Sequence, residues 1–293
     1  MTESETVRLR LDVAYDGTNF SGWTKQPGLR TVQGELETAL ATVFQRHGEP
    51  PTLTVAGRTD AGVHAVGQVA HLDLTRAQLA SLDERRGQGG AESLARRLNG
   101  IAGLSSDVVV TRSSLAPDGF DARFGGIWRR YEYRVEDATR PRNPLVRGFT
   151  LSYPAVLDAE AMNEASIGLT GLHDWASYCK PREGGTTIRT LQEFTWTRQS
   201  DGVLLAHVKA DAFCHSMVRS LVGASIAVGE GKLSAPDLIK LRDDETRTSA
   251  FKVVPAKGLT LVEVGYPPDE QLAARAEQTR ARRDGIDVQP KTD

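Results

Sequence analysis

The sequence predicts an α+β protein built from two halves, each of which alternates short strands and helices. Residues 7–15 alternate apolar and polar side chains with period two, which is typical of a strand with one buried face. Residues 32–44 then carry apolar side chains at helical spacing, after a threonine, Thr31, that is suited to cap a helix N-terminus. The same strand and helix patterns return from residue 128 onward, which predicts a second half of the same class.

In the first half the predicted order is strand, helix, strand, strand, helix, strand. This is the ferredoxin-like alternation, and it favours an antiparallel sheet with helices on one face. Residues 84–90, Glu-Arg-Arg-Gly-Gln-Gly-Gly, are charged and glycine-rich and are predicted to form a flexible loop. The remaining elements expected here are strands at 52–56, 67–74 and 107–113 and a helix at 91–98.

The second half predicts a similar set. Strands are expected at 128–135, 149–152, 187–198, 203–210 and 259–266, and helices at 159–169, 217–228 and 235–241. Asp158 is expected to cap the first of these helices. We therefore divide the chain into residues 1–116, residues 117–268 and a charged tail, 269–293, which is predicted to be a solvated helix followed by a disordered end.

Composition limits the class of protein. The 293 residues are 39% hydrophobic and 25% charged, as in soluble globular proteins. No apolar run approaches the roughly 18 to 20 residues of a membrane span, and residues 1–5 lack the apolar segment of a secretory signal. Cys179 and Cys214 are far apart without CxxC spacing, so neither a disulfide framework nor a zinc site is predicted. We therefore expect a cytoplasmic protein.

One loop combines glycines, a cation and an acid: Gly57-Arg58-Thr59-Asp60-Ala61-Gly62. Glycine permits positive φ and close approach of a ligand, so such a loop can expose a carboxylate held by local backbone. By itself the pattern also fits an ordinary turn with an aspartate cap. His64 follows Asp60 at a spacing of four, but the pair lacks the further ligands of a metal site. We predict no metal, and the absence of a P-loop or dinucleotide fingerprint predicts no nucleotide cofactor.

The loop resembles the motif of the TruA family of tRNA pseudouridine synthases, and other segments resemble further signatures of that family in family order. Thr24 and Ser105 stand where the family usually has glutamine and proline. The resemblance covers residues 7–266. The segments that carry it are 15–18, Phe20, 22–23, Gln26, 31–33, 120–124, 130–133, 212–213, 217–219, 222–223 and 255–259.

This resemblance implies an isomerase that converts uridine to pseudouridine in the anticodon stem-loop of tRNA, at positions 38, 39 and 40. It implies the pseudouridine synthase fold, in which two ferredoxin-like halves with antiparallel sheets are joined across a central RNA-binding cleft. It also implies a homodimer on which one tRNA lies across two subunits. The reaction breaks the N1–C1′ bond and rejoins the base through C5 without redox change, so no cofactor is expected.

The resemblance also assigns roles to four residues. Asp60 is the catalytic carboxylate, and it acts either as a nucleophile at the sugar carbon or as a base that generates a glycal. Arg219 pairs with Asp60, Tyr131 lies against the target base, and Arg58 enters the stem to displace the nucleotide. The residues alone leave other roles open: a solvated Arg219, a core Tyr131, and an Arg58 that contacts phosphate or carries a turn charge.

The positive field needed for RNA must be local, because the net charge is −2. Residues 121–147 contain seven arginines and four acids, and Lys180, Arg182 and Arg189 flank a Gly-Gly pair. We predict that these cations form a stripe that contacts the RNA backbone. A mixed solvated surface is the alternative.

Two other functions fit parts of the sequence. A non-catalytic tRNA-binding or chaperone protein of the same fold would not need Asp60. A hydrolase of N-glycosidic bonds would ordinarily use a second carboxylate, and no motif pairs one with Asp60.

Overall fold

The structure is a computed structural model that describes residues 6–83, 90–181, 186–246 and 248–287. The chain divides into two compact units, one of residues 1–126 with 264–293 and the other of residues 127–263. The first unit therefore extends to residue 126, where the predicted division lay at residue 116, and residues from Val264 on group with the first unit. Residues 84–89 of the predicted loop at 84–90 lie outside the described residues. Its last residue, Gly90, is the first residue of a helix.

The first unit contains a sheet in the order β4-β1-β3, with the short β2 paired to β3. Every one of these pairs is antiparallel, as predicted. The elements in chain order are β1 (Thr6–Tyr15), α1 (Val32–Phe44), β2 (Thr54–Val55), β3 (His64–Thr75), α2 (Arg76–Asp83), α3 (Gly90–Ala102) and β4 (Val108–Leu115).

Local pattern explains the first two elements. Leu9, Leu11 and Val13 of β1 are fully buried while the residues between them are partly exposed, so the period-two prediction is confirmed. Thr31 caps α1 by accepting a hydrogen bond from the Gly34 N–H at 3.2 Å, also as predicted.

Helix α2 was not predicted. Thr75 and Gln78 exchange hydrogen bonds at its start, since each side chain accepts from the backbone N–H of the other. This is a capping box, and the spacing Thr-x-x-Gln was the sequence signal for it.

The second unit contains a sheet in the order β10-β5-β9-β8-β7, and β6 pairs with β5. The β5–β6 pair is parallel, so the sheet is mixed and the prediction of purely antiparallel sheets is wrong at this point. The elements are β5 (Trp128–Glu136), β6 (Leu151–Ser152), α4 (Ala159–Ile167), β7 (Gly171–Asp174), β8 (Ile188–Arg198), β9 (Leu204–Ala210), α5 (Met217–Gly229), α6 (Ala235–Asp243) and β10 (Leu259–Gly265).

Helix α5 is the central helix of this unit, and twelve of its thirteen residues are buried. It packs against α4 and α6. It is far shorter than the roughly 20 residues that span a bilayer. Across residues 6–83, 90–181, 186–246 and 248–287, no helix is both long and apolar enough to cross a membrane.

The chain ends in a helix, α7 (Leu272–Asp287), that packs on the first unit. Leu272 and Ala276 are buried. A Cβ on Gly119 would lie 2.5 Å from the Ala273 Cβ, so this glycine permits the close approach of α7. Arg280 of α7 forms an ion pair with Asp121. The tail was predicted as a solvated helix, but a short apolar face docks it.

Cys179 and Cys214 form a disulfide, with Cα atoms 5.8 Å apart. The sequence analysis predicted no disulfide, and that prediction is wrong. The two cysteines are 35 residues apart in sequence, and only the packing of the segment before α5 against the segment after β7 brings them together.

Candidate active site

The loop with Asp60 connects β2 to β3 and is held by its own unit on several sides. Thr59 accepts a hydrogen bond through its carbonyl from the Trp23 N–H at 3.1 Å. Gly22 has φ +94°, and a Cβ there would lie 2.9 Å from that same carbonyl oxygen. The Gly22-Trp23 signature therefore packs directly on the loop, and only glycine fits at the contact.

Gly17 makes a second close approach, at the end of the loop. Its N–H donates to His64 Nδ1 at 3.1 Å. A Cβ on Gly17 would lie 2.0 Å from the carbonyl oxygen of Val63, well inside contact distance. The signature at 15–18 thus packs against Val63 and His64, which follow Asp60 in the loop.

We expect Gly17→Ala to displace the loop, because its methyl group would overlap the Val63 backbone. Overpacking of this kind typically costs about 1–3 kcal/mol of the free energy of unfolding, and a shift of about 1 Å at reacting groups can cost about 100-fold in rate. Urea unfolding measures the first effect, and single-turnover rates on tRNA, the substrate that the resemblance implies, measure the second. Gly100→Ala is the control, since nothing lies within 4 Å of its added Cβ. Unchanged activity in Gly17→Ala would contradict the prediction.

The three central residues of the loop differ in solvent exposure. Arg58 is exposed, Thr59 is buried and Asp60 is half-buried. Thr59 therefore anchors the loop, while its two charged neighbours remain accessible to a substrate.

A chain of buried side-chain hydrogen bonds lies beneath the loop. The hydroxyls of Tyr15 and Thr59 are 2.7 Å apart, and the Gln68 amide donates both to the Tyr15 oxygen at 3.2 Å and to the Gly57 carbonyl at 2.9 Å. Burial raises the pKa of Tyr15 to about 12, so its hydroxyl stays protonated at neutral pH. The sequence analysis missed Gln68, although a glutamine inside an apolar strand was a signal for a buried polar contact.

Tyr131 lies on β5 in the second unit, where its ring meets Phe213 edge-on. The ring centroids are 5.2 Å apart and the planes stand at 87°. Tyr131 is half-buried, whereas its neighbour Tyr133 is fully buried. Two of the sequence signatures, 130–133 and 212–213, therefore meet in one aromatic contact.

Arg219 is the half-buried residue of the otherwise buried α5. Its Nε donates to the Val254 carbonyl at 2.7 Å, and the Tyr133 hydroxyl donates to the neighbouring Pro255 carbonyl at 2.8 Å. Burial raises the pKa of Tyr133, and the nearby positive charge of Arg219 opposes that shift. The guanidinium is thus fixed against the start of the last signature, 255–259, rather than extended into solvent.

The predicted site residues fall into two sets, one in each unit. Arg58 and Asp60 lie on one loop of the first unit, and Tyr131 and Arg219 lie on β5 and α5 of the second. The ion pair between Asp60 and Arg219 stays a prediction. Among the described residues, no group of three or more His, Cys, Asp or Glu side chains is arranged to hold a metal ion.

The predicted basic stripe is partly engaged within the protein. Arg130 lies 3.1 Å from Glu263, and both Arg130 and Lys209 approach the Trp128 ring, with Lys209 Nζ 4.3 Å from its centroid. Arg142 and Arg147 are exposed. Arg182 lies outside the described residues. Some of these cations therefore already have protein partners, and the RNA-contacting stripe stays a prediction.

Known proteins match this chain in the segments that contain the Asp60 loop and Arg219. A family model described as tRNA pseudouridine synthase matches residues 13–85 and 165–267, which include the Asp60 loop and α5. The chain is 61% identical to tRNA pseudouridine synthase A of Leifsonia xyli subsp. xyli, over 97% of this chain and 99% of that protein. It is 53% identical to the enzyme of that name from Streptomyces avermitilis, over 94% of each chain, and 46% identical to that of Mycobacterium leprae, over 94% and 96%.

The family model covers more than half of the chain, and the relatives match along nearly its whole length. The segments that carry the buried loop contacts, and helix α5, are inside the matched regions. The chain therefore belongs to the TruA family of tRNA pseudouridine synthases, isomerases that convert uridine in tRNA to pseudouridine.

Proposed function

We propose that Asp60 is the catalytic carboxylate of this isomerase. The observation that carries the proposal is a half-buried aspartate directly after an anchored, buried threonine and beside an exposed arginine. A carboxylate in this setting can attack the sugar C1′ or remove a proton from the sugar as the N1–C1′ bond breaks. Either act is followed by rotation of the base and bond formation at C5, with no change of oxidation state.

The other three residues take the roles that the family resemblance implies. Arg58 is exposed on the loop and enters the stem to displace the target nucleotide. Tyr131 stacks against the flipped uracil, since its ring is held edge-on by Phe213 while it remains half-buried. Arg219 pairs with the Asp60 carboxylate and offsets its negative charge.

The substrate we propose is uridine at positions 38, 39 and 40 of the tRNA anticodon stem-loop. A homodimer is proposed as the working form, with a central RNA-binding cleft between two ferredoxin-like halves in each subunit. Exposed arginines such as Arg142 and Arg147 contribute backbone contacts that position the RNA without reading its sequence.

We propose the cytoplasm as the place of action, because tRNA is the substrate.

Nucleotide-resolved pseudouridine mapping tests the substrate assignment. Unmodified tRNAs with uridine at positions 38, 39 and 40 are incubated with the protein, and the modified positions are read. We expect conversion at these three positions, with uridines elsewhere in the same tRNAs as internal controls. Conversion confined to another stem or loop would overturn the positional assignment but leave the reaction type standing. Sedimentation of the protein with and without tRNA tests the dimer.

A further inference from the structure

The polar side chains beneath the Asp60 loop form a continuous series of hydrogen bonds. Each of the two amide hydrogens of Gln68 has an acceptor, namely the Tyr15 oxygen and the Gly57 carbonyl, and its amide oxygen accepts from the Val69 N–H at 3.2 Å. The Tyr15 and Thr59 hydroxyls are 2.7 Å apart, and either can donate to the other. Gln68, Tyr15 and Thr59 are thus linked side chain to side chain.

All three side chains are buried. Gln68 is fully buried, and Tyr15 and Thr59 are 5% and 6% exposed. The Tyr15 ring packs against Phe20 and Trp23, with centroids 6.4 Å and 6.1 Å away. A hydrogen bond lost between buried polar groups leaves its partner unsatisfied, so each of the three side chains depends on the next.

The hydrogen-bonded side chains contact the Asp60 loop on both sides of Arg58. Gln68 holds the carbonyl of Gly57, and Tyr15 holds the hydroxyl of Thr59. The Trp23 N–H holds the Thr59 carbonyl, which belongs to the peptide bond that leads into Asp60. The backbone that carries the exposed arginine and the half-buried carboxylate is therefore fixed from below by side chains that do not reach the surface.

We propose that Tyr15, Gln68 and Thr59 are positioning residues for catalysis, which set the place of the Asp60 carboxylate and the Arg58 guanidinium through the loop backbone. This proposal rests on the proposed role of Asp60. A shift of reacting groups by about 1 Å can cost about 100-fold in rate, whereas substrate affinity depends on many contacts spread over the RNA. Loss of these hydrogen bonds should therefore lower the rate of the chemical step and leave tRNA binding nearly unchanged.

Two substitutions at Thr59 separate shape from hydrogen bonding. Thr59→Val keeps the branched shape but removes the hydroxyl, and Thr59→Ser keeps the hydroxyl. We expect the single-turnover rate on tRNA to fall at least about 10-fold in Thr59→Val and in Tyr15→Phe. Thr59→Ser should retain most of the rate, and KM for tRNA should change little in all three.

Tyr178→Phe is the matched control for loss of a buried tyrosine hydroxyl. Tyr178 is fully buried in the second unit, and its hydroxyl donates to the Leu238 carbonyl at 2.9 Å. It should lose thermal stability as Tyr15→Phe does, yet keep the single-turnover rate. Melting temperatures measured in parallel show that each variant is folded at the assay temperature.

The outcomes distinguish this proposal from the one on which it rests. Equal rates in wild type, Thr59→Val and Tyr15→Phe would overturn the positioning role, as would a Thr59→Ser variant as slow as Thr59→Val. Full activity in Asp60→Asn would instead overturn the catalytic assignment, whatever the Thr59 variants show. A slow Thr59→Val together with a normal Tyr178→Phe and an inactive Asp60→Asn supports both.

Discussion

Replacing Asp60 with asparagine is expected to lower the rate of pseudouridine formation by at least about 100-fold, the lower range for loss of a general base. Asparagine has nearly the same volume and keeps the backbone contacts of the loop, such as the 3.2 Å bond from the Val63 N–H to the residue 60 carbonyl. It removes the charge and the nucleophilic oxygen. Single-turnover conversion of tRNA measures the loss, and filter binding should show nearly unchanged affinity for tRNA.

Asp118→Asn is the matched control. Asp118 is an exposed aspartate of the same unit, so its replacement makes the same change of charge away from the loop. Its rate should remain that of wild type. Retained activity in Asp60→Asn would sink the assignment of the catalytic carboxylate.

The size of the loss and the products carry further information. A decrease of at least about 100-fold fits either a base or a nucleophile, so the size of the loss tests whether Asp60 is catalytic and not which act it performs. Free uracil released from tRNA by the wild-type protein would favour the hydrolase alternative. Tight tRNA binding without any conversion would favour the non-catalytic alternative.

The second large effect is expected on stability, at Asp137. This side chain is fully buried and receives hydrogen bonds from Arg198, from Thr139 and from the Leu157 N–H. Asp137→Ala would remove the acceptor of the buried Leu157 N–H and of the Thr139 hydroxyl, while the exposed Arg198 keeps other acceptors such as the Gly202 carbonyl. Leaving buried donors unsatisfied in this way typically costs about 1–3 kcal/mol of the free energy of unfolding. Urea unfolding at neutral pH measures the loss.

The same pair predicts a dependence on pH. Burial alone would raise the pKa of Asp137, but the hydrogen bonds from Arg198, Thr139 and Leu157 together lower it from 3.8 to about 2. Because the folded value is the lower one, the carboxylate contributes its full stability above about pH 4 and loses it as the pH falls toward 2. The stability of wild type should fall more steeply across this window than that of Asp137→Ala.

Glu263→Ala is the control for an exposed pair. Glu263 lies 3.1 Å from Arg130, and both side chains are substantially exposed. Exposed pairs contribute about 0.2–1 kcal/mol, so the two variants should differ several-fold. Equal losses in both variants would show that the burial of Asp137 adds nothing to the free energy of unfolding beyond what an exposed pair contributes.

Several elements could be predicted from local sequence because their causes are local. The alternation of 7–15 and the helical spacing of 32–44 each describe one face of one element, and the structure places β1 and α1 there. Asp158 caps α4 by accepting from two backbone N–H groups, as its position predicted. The loop at 57–62 could be recognised because its residues are contiguous and because the other signatures of the same family occur in order along the sequence.

The sequence by itself determined the family, the reaction and the candidate carboxylate, because these depend on motifs that can be read in order along the chain. Only the tertiary structure decided which side chains hold the Asp60 loop in place: Tyr15 is 44 residues from Thr59 and 53 residues from Gln68 in sequence, and its contacts with them exist only when β1 and β3 pair. The same holds for the disulfide, the parallel β5–β6 pair and the docked α7. Each depends on surfaces that meet after folding, and no local periodicity encodes which surface will meet which.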